Sequence, residues 1–179
     1  MTFVLGMVLT RVLLLKGRGI KAMHFGKIDK KDFLVPPFAL FYFYMVFADA
    51  FGAPGAIRRQ FFYSTIISWT GVLFCLIGLS LLLWSLVSFG RSFRVGIDIE
   101  RPDKLVTTGI FAVSRNPIYV AFLFVLAGQV LIVPSWFFVG YFCAAALLIH
   151  RQILREEDYL KKHYGKEYLA YGQQVRRYL

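Results

Sequence analysis

The chain has 179 residues, of which 58% are hydrophobic, 18% aromatic and 17% charged, and its formal net charge is +11. A soluble domain is nearer half apolar with about a quarter of its residues charged, so these long apolar runs exclude an ordinary water-soluble core and indicate an integral membrane protein. The positive charge does not indicate nucleic acid, because it is gathered into loops between apolar runs, as in cytoplasmic loops that face anionic lipid.

Five apolar segments follow one another along the chain. The first, about Phe3–Leu15, is short for a membrane span. It has no basic region before it and no small-residue cleavage site, so it is read as retained and not as a signal peptide. A basic loop with Lys16, Arg18, Lys21, Lys27, Lys30 and Lys31 comes next. The second segment, Phe33–Phe51, has Pro36-Pro37 near its start and Asp49 near its end. Asp49 is the only acidic residue inside an apolar segment, which speaks against an ion pathway or transporter. The third, Phe61–Phe89, reaches about 44 Å as a helix at 1.5 Å per residue. That exceeds the ~30 Å hydrocarbon core, so the helix is expected to tilt or protrude. A second basic loop holds Arg91, Arg94, Arg101, Lys104 and Arg115. The fourth segment, Pro117–Val133, is broken by Pro134-Ser135, and the fifth runs from Trp136 past Ile149. With almost no loop between them, the fourth and fifth are expected to form an antiparallel hairpin.

The expected fold is all-α, a single polytopic membrane domain over residues 1–179 with about five spans. Basic loops on one side place the N-terminus outside and the C-terminus in the cytoplasm. Beyond Ile149 the last helix is expected to continue, with Leu160, Tyr164, Tyr168, Tyr171 and Val175 forming an amphipathic stripe. Such a stripe suits either a helix lying on the membrane or a lid over a site. Cys75 and Cys143 give no disulfide framework, and His24, His150 and His163 have no partner at metal-ligand spacing. No metal and no nucleic acid are expected.

Two polar motifs bracket the hairpin: Arg115-Asn116-Pro117-Ile118-Tyr119 before it and Arg155-Glu156-Glu157-Asp158 after it. Asn116 lies eighteen residues before Pro134 and Gln152 eighteen after, so the count puts them level. Glu156 is one turn further out, about 6 Å at helical rise. The segment Arg151–Glu157 should therefore face or overhang Arg115–Tyr119 at the cytoplasmic boundary. Asn116-Pro117 reads as an N-cap followed by a first-turn proline. The same helix start suits an anionic group, and Tyr119 suits a base or a cation. Glu156-Glu157 reads either as a solvated helix face or as a partner for an ammonium.

In order along the chain stand Phe89-Gly90-Arg91-Ser92-Phe93, Leu105-Val106-Thr107-Thr108-Gly109-Ile110-Phe111, Arg115-Asn116-Pro117-Ile118-Tyr119, Glu156-Glu157 and Tyr164-Gly165-Lys166-Glu167-Tyr168. This ordered set, over about residues 85–179, resembles the isoprenylcysteine carboxyl methyltransferase and phospholipid methyltransferase family of integral membrane enzymes. The resemblance implies S-adenosylmethionine as methyl donor, S-adenosylhomocysteine as product, and a donor pocket at the cytoplasmic end of the hairpin. It implies that Asp103, Lys104, Leu105, Val106, Phe111, Asn116, Pro117, Ile118 and Tyr119 line that pocket. Glu156 or Glu157 then holds the donor's amino group, and Arg151 or Arg155 contacts the substrate. The family usually has His where this chain has Asn116, and often His at the position of Asp103. Asn116 can hydrogen-bond but does not act as acid or base near neutral pH. No Gly-rich nucleotide fingerprint is present, which disfavours a soluble-type methyltransferase.

These residues favour a carboxylate acceptor. A carboxylate, with a reference pKa near 4, is already a nucleophile at about pH 7 and needs only orientation, which an arginine supplies. An amine must first lose a proton, and no base is evident beyond His150 and Glu157. The expected partners are membrane lipids and a hydrophobic or prenylated acceptor. Two alternatives stand beside this reading: a phospholipid (ethanolamine) N-methyltransferase, and a non-catalytic lipid-binding or assembly protein with a degenerate site.

Overall fold

The computed structural model describes residues 10, 59–89 and 105–179. From Gln60 onward the described residues belong to one compact unit. That unit holds α1 (Thr65–Phe89), a 3₁₀ turn (Gly109–Ala112), α2 (Pro117–Ile132), α3 (Trp136–Tyr164) and α4 (Lys166–Gln174). No strand occurs among the described residues, only an isolated bridge between Ser114 and Arg176. The expected first and second segments, Thr10 apart, lie outside the described residues, as do Asp103 and Lys104.

The third expected segment becomes a helix four residues later than its apolar run begins, at Thr65. Ser64 stops the extension: its Oγ accepts the Ile67 N–H at 3.5 Å, a capping role that short polar side chains favour. Phe61 instead crosses to the turn after α2. Its N–H donates to the Pro134 carbonyl at 2.9 Å, and its ring lies 4.6 Å from Trp136. α1 and α3 are the two described helices long and apolar enough to cross a membrane; α2 is apolar but has 16 residues. On α1, Ile66 is 81% exposed and Trp69 69%, a surface that suits lipid and not water.

The most extensive packing is α1 on α2, whereas α2 and α3, the expected tight hairpin, touch less. Small residues explain the difference. Gly71 and Gly78 are seven apart on α1, and Ala121 and Gly128 are seven apart on α2. Gly71 meets Gly128, and Gly78 meets Ala121 and Val125, so one number rises as the other falls, as antiparallel helices require. A Cβ on Gly71 would stand 2.6 Å from the Gly128 carbonyl oxygen, inside van der Waals contact. Backbones approach this closely only where side chains are absent, the usual way apolar helices associate in lipid.

α3 starts at Ser135, whose Oγ accepts from the Phe138 N–H at 3.4 Å. It is 29 residues long, about 44 Å at helical rise, so it outruns a hydrocarbon core. Its buried residues Phe138, Tyr141, Ala145, Ile153 and Glu157 fall at three- and four-residue spacings or multiples of four. One continuous stripe therefore leads from apolar packing to a buried carboxylate. The helix does not continue unbroken through the C-terminal stripe. Gly165 adopts φ 54°, a backbone state natural to glycine, and separates α3 from α4.

Candidate functional site

Folding brings the two bracketing motifs together. Tyr119, on the first turn of α2, donates its hydroxyl hydrogen to Glu156 on α3. Asn116 points its Nδ2 at the Glu157 Oε1, 3.5 Å away. Gln152 donates to the same Glu156 carboxylate at 3.1 Å from one helical turn back. These contacts sit a few residues further along α3 than level counting places them.

Glu157 is the electrostatic centre of this end. It is 1% exposed. A buried carboxylate is tolerated only when it is paired and hydrogen-bonded. Arg177, beyond α4, supplies a fork: Nε to Oε1 at 3.1 Å and a terminal nitrogen to Oε2 at 2.9 Å. Arg115 adds a second guanidinium at 3.4 Å. The Glu157 hydrogen bond raises the Arg177 guanidinium above its ordinary value, against a smaller effect of burial. Arg115 also lies over the Tyr168 ring, 5.9 Å from its centroid, and its buried Nε has no hydrogen-bond partner among the described residues.

Asn116 occupies the N-cap position of α2, with Pro117 first in the helix, as expected. Its side chain does not cap. It donates instead to the Arg177 carbonyl at 3.0 Å and to Glu157. Ser114, fully buried, accepts the Asn116 N–H on its Oγ at 3.1 Å. The local sequence carries the right cap chemistry, but the Nδ2 contacts with Glu157 and the Arg177 carbonyl orient the amide, and its oxygen makes no cap bond.

The C-terminal aromatics enclose the same end. Tyr168 and Tyr171 of α4 are buried, and the Tyr171 hydroxyl donates to the Phe111 carbonyl at 2.6 Å. Burial pushes the Tyr171 hydroxyl up to about 12, with Tyr168 adding and Arg115 opposing. Burial also raises the Tyr168 hydroxyl, and the Glu157 charge adds to it. Both are neutral phenols near pH 7. Phe111 is buried with its ring 4.5 Å from Phe89, edge to face, which pins the 3₁₀ turn to the end of α1.

Of the residues expected to form a donor pocket, Asn116, Tyr119, Glu156 and Glu157 meet directly. Pro117 and Phe111 are buried beside them, and Ile118, Leu105 and Val106 are half-buried. Arg155 is half-buried and Arg151 exposed, both on the same stretch of α3. Sequence reasoning missed Arg177, Ser114 and the role of Arg115. Nothing local separates Arg177 from an ordinary basic tail; only the burial of Glu157 demands a partner. At the other end of α1 and α2, an open groove of about 340 Å³ is lined by Tyr63, Ser68, Trp69 and Ile132, among others. Its described lining includes no carboxylate or cation, so the polar cluster is the better chemical site. Among the described residues no group of His, Cys, Asp and Glu is arranged to hold a metal.

Comparison with known proteins gives a consistent picture. The family model for phospholipid methyltransferases matches residues 66–167. The protein-S-isoprenylcysteine O-methyltransferase B of Arabidopsis thaliana is 32% identical over 112 residues, 61% of this chain and 57% of that protein. The protein-S-isoprenylcysteine O-methyltransferase of Xenopus laevis is 31% identical over 114 residues, 62% of this chain and 40% of that one. The matches thus span about half the length of these relatives. Among solved structures, a eukaryotic intramembrane Ras methyltransferase (isoprenylcysteine carboxyl methyltransferase) aligns with a TM-score of 0.61 at 20% identity. That alignment covers 92% of this chain and 58% of the other, and at such identity it speaks for the fold.

Proposed function

This chain belongs to the phospholipid methyltransferase family, and from that premise we propose that it is a membrane enzyme that methylates a hydrophobic carboxylate, of the isoprenylcysteine kind, from S-adenosylmethionine. The observation that carries the reading is the meeting of Asn116 and Tyr119 with Glu156 and Glu157 at one end of apolar helices. The names of the curated relatives support a carboxyl acceptor over a phospholipid amine. The charge pattern supports a multi-pass arrangement with this end in the cytoplasm.

The residues present fit the donor. An ammonium calls for a carboxylate, and two stand side by side here. Glu157 is 1% exposed and gives both oxygens to Arg177, whereas Glu156 is only half-buried, so Glu156 is the carboxylate we assign to the ammonium. Its hydrogen bond from Tyr119 fixes its rotamer and places an aromatic face beside it, suited to adenine or a sulfonium. Asn116, Pro117, Ile118 and Tyr119 at the start of α2, with Leu105, Val106 and Phe111 from the preceding loop, would line the pocket. When bound, S-adenosylmethionine supplies an electrophilic methyl on a cationic sulfur. The chain's part is orientation and electrostatics. Arg151 and Arg155 would hold the acceptor carboxylate, aiming one oxygen and leaving it ionised. Asn116 orients and does not exchange protons near pH 7, which suits an acceptor that has no proton to lose.

The test is transfer of labelled methyl from S-adenosylmethionine in membranes carrying the full chain, offered a prenylated cysteine analogue or phosphatidylethanolamine. The expected product is a base-labile methyl ester on the prenylcysteine. Label on phosphatidylethanolamine alone overturns the carboxyl reading. Label on neither, against an active control enzyme, overturns the assignment as a methyltransferase of either kind.

A further inference from the structure

Three consecutive residues after α4 are each tied to the elements that carry the candidate site. The Arg176 carbonyl accepts the Arg115 N–H at 3.0 Å. The Arg177 carbonyl accepts from Asn116 Nδ2 at 3.0 Å. The Tyr178 hydroxyl pairs with His150 Nδ1, and the two rings stack. Arg177 differs from its neighbours because it makes a second kind of contact, the guanidinium fork onto Glu157. One residue thus grips Asn116 with its main chain and Glu157 with its side chain. The two hydrogens of the Asn116 amide are directed at the Arg177 carbonyl and at Glu157, which fixes the amide plane.

We propose that Arg177 is a positioning residue of the methyl-donor site, acting through Glu157 and Asn116. By holding both oxygens of Glu157 it fixes that carboxylate as the acceptor facing the Asn116 Nδ2. By the same bonds it holds the Asn116 amide in the one orientation that presents its oxygen as an acceptor. Lysine does not reproduce this, because an ammonium is a point charge and lacks the planar fork. The inference rests on the donor-site reading above and deepens it.

The sign of the effect separates this role from its rivals. If Glu157 were itself the ammonium ligand, Arg177 would be its competitor, and removing Arg177 would tighten donor binding. If Arg177 were only a fastening for the tail, removing it would lower thermal stability and leave donor affinity unchanged.

The experiment is calorimetric titration of the purified full chain with S-adenosylhomocysteine, for wild type, Arg177→Met and Arg177→Lys, alongside the KM for donor and acceptor. Wild-type binding is the control: its failure overturns the donor-site reading itself. Given wild-type binding, Arg177→Met is expected to weaken affinity about tenfold or more. Its donor KM rises and its acceptor KM stays, with Arg177→Lys intermediate. Unchanged or tighter binding in either variant overturns the proposal. If Arg177→Met does not fold, Arg177→Lys decides alone by the same criterion.

Discussion

Glu157→Ala is expected to destabilise the protein by about 3 kcal/mol, the scale seen when one partner of a buried ion pair is removed. The carboxylate is nearly inaccessible and answers two guanidiniums. Removing it strands them unequally. The Arg177 side chain is 35% exposed and can turn to solvent, whereas that of Arg115 is 13% exposed and cannot do so without unpacking Tyr168. Arg115 already carries a buried Nε with no partner among the described residues, so the loss falls where there is least compensation. Asn116 loses an acceptor in the same step. Thermal unfolding in detergent should show a clear fall in Tm for Glu157→Ala and a smaller one for Glu156→Ala, whose site is half-buried. Equal and small effects at the two positions would show that the buried network does not hold this end together.

The second large effect is expected at the crossing of α1 and α2. A Cβ on Gly128 would lie 2.6 Å from both the Cys75 Sγ and the Gly71 carbonyl oxygen. The backbone oxygen is the harder obstacle, because a side chain can change rotamer but the helix must move as a body. Overpacking of this kind costs about 1–3 kcal/mol per site, and Gly128→Leu should reach or exceed the upper figure. Gly140 is the internal control. It lies within α3, a Cβ there meets none of the described residues within 4 Å, and Gly140→Ala should be neutral or slightly stabilising. Folded yield and Tm of the two variants test this directly. A wild-type Tm for Gly128→Leu would contradict the close crossing.

Several features of this architecture are legible in the sequence. The break at Pro134-Ser135 and the apolar runs on either side mark α2 and α3, and the bracketing motifs do come together. Other features were written in the sequence but need a second element to be understood. The seven-residue spacings Gly71–Gly78 and Ala121–Gly128 become a signal only when the two helices are laid antiparallel. Gly165, a glycine placed where a helix ends, is a stop signal within a stripe that otherwise reads as continuous. A third group is not local at all. Asn116 has the chemistry of a cap, and no neighbour in sequence says that its amide serves Glu157 and Arg177 instead. The pairing of Arg177 with Glu157 comes from chain topology, and its trace in the sequence is only that a carboxylate on the buried stripe of α3 must find a cation.

On the function proposed above, the start of α2 and the Glu156 turn of α3 together hold the methyl donor. Ultraviolet crosslinking of methyl-labelled S-adenosylmethionine to the full chain in membranes, with the labelled peptides mapped by mass spectrometry, tests it most directly. Label is expected on residues 111–119 and 152–157 and is lost when S-adenosylhomocysteine is in excess. Competable label confined to the groove at the other end of the helices, around Tyr63, Trp69 and Ile132, would contradict it.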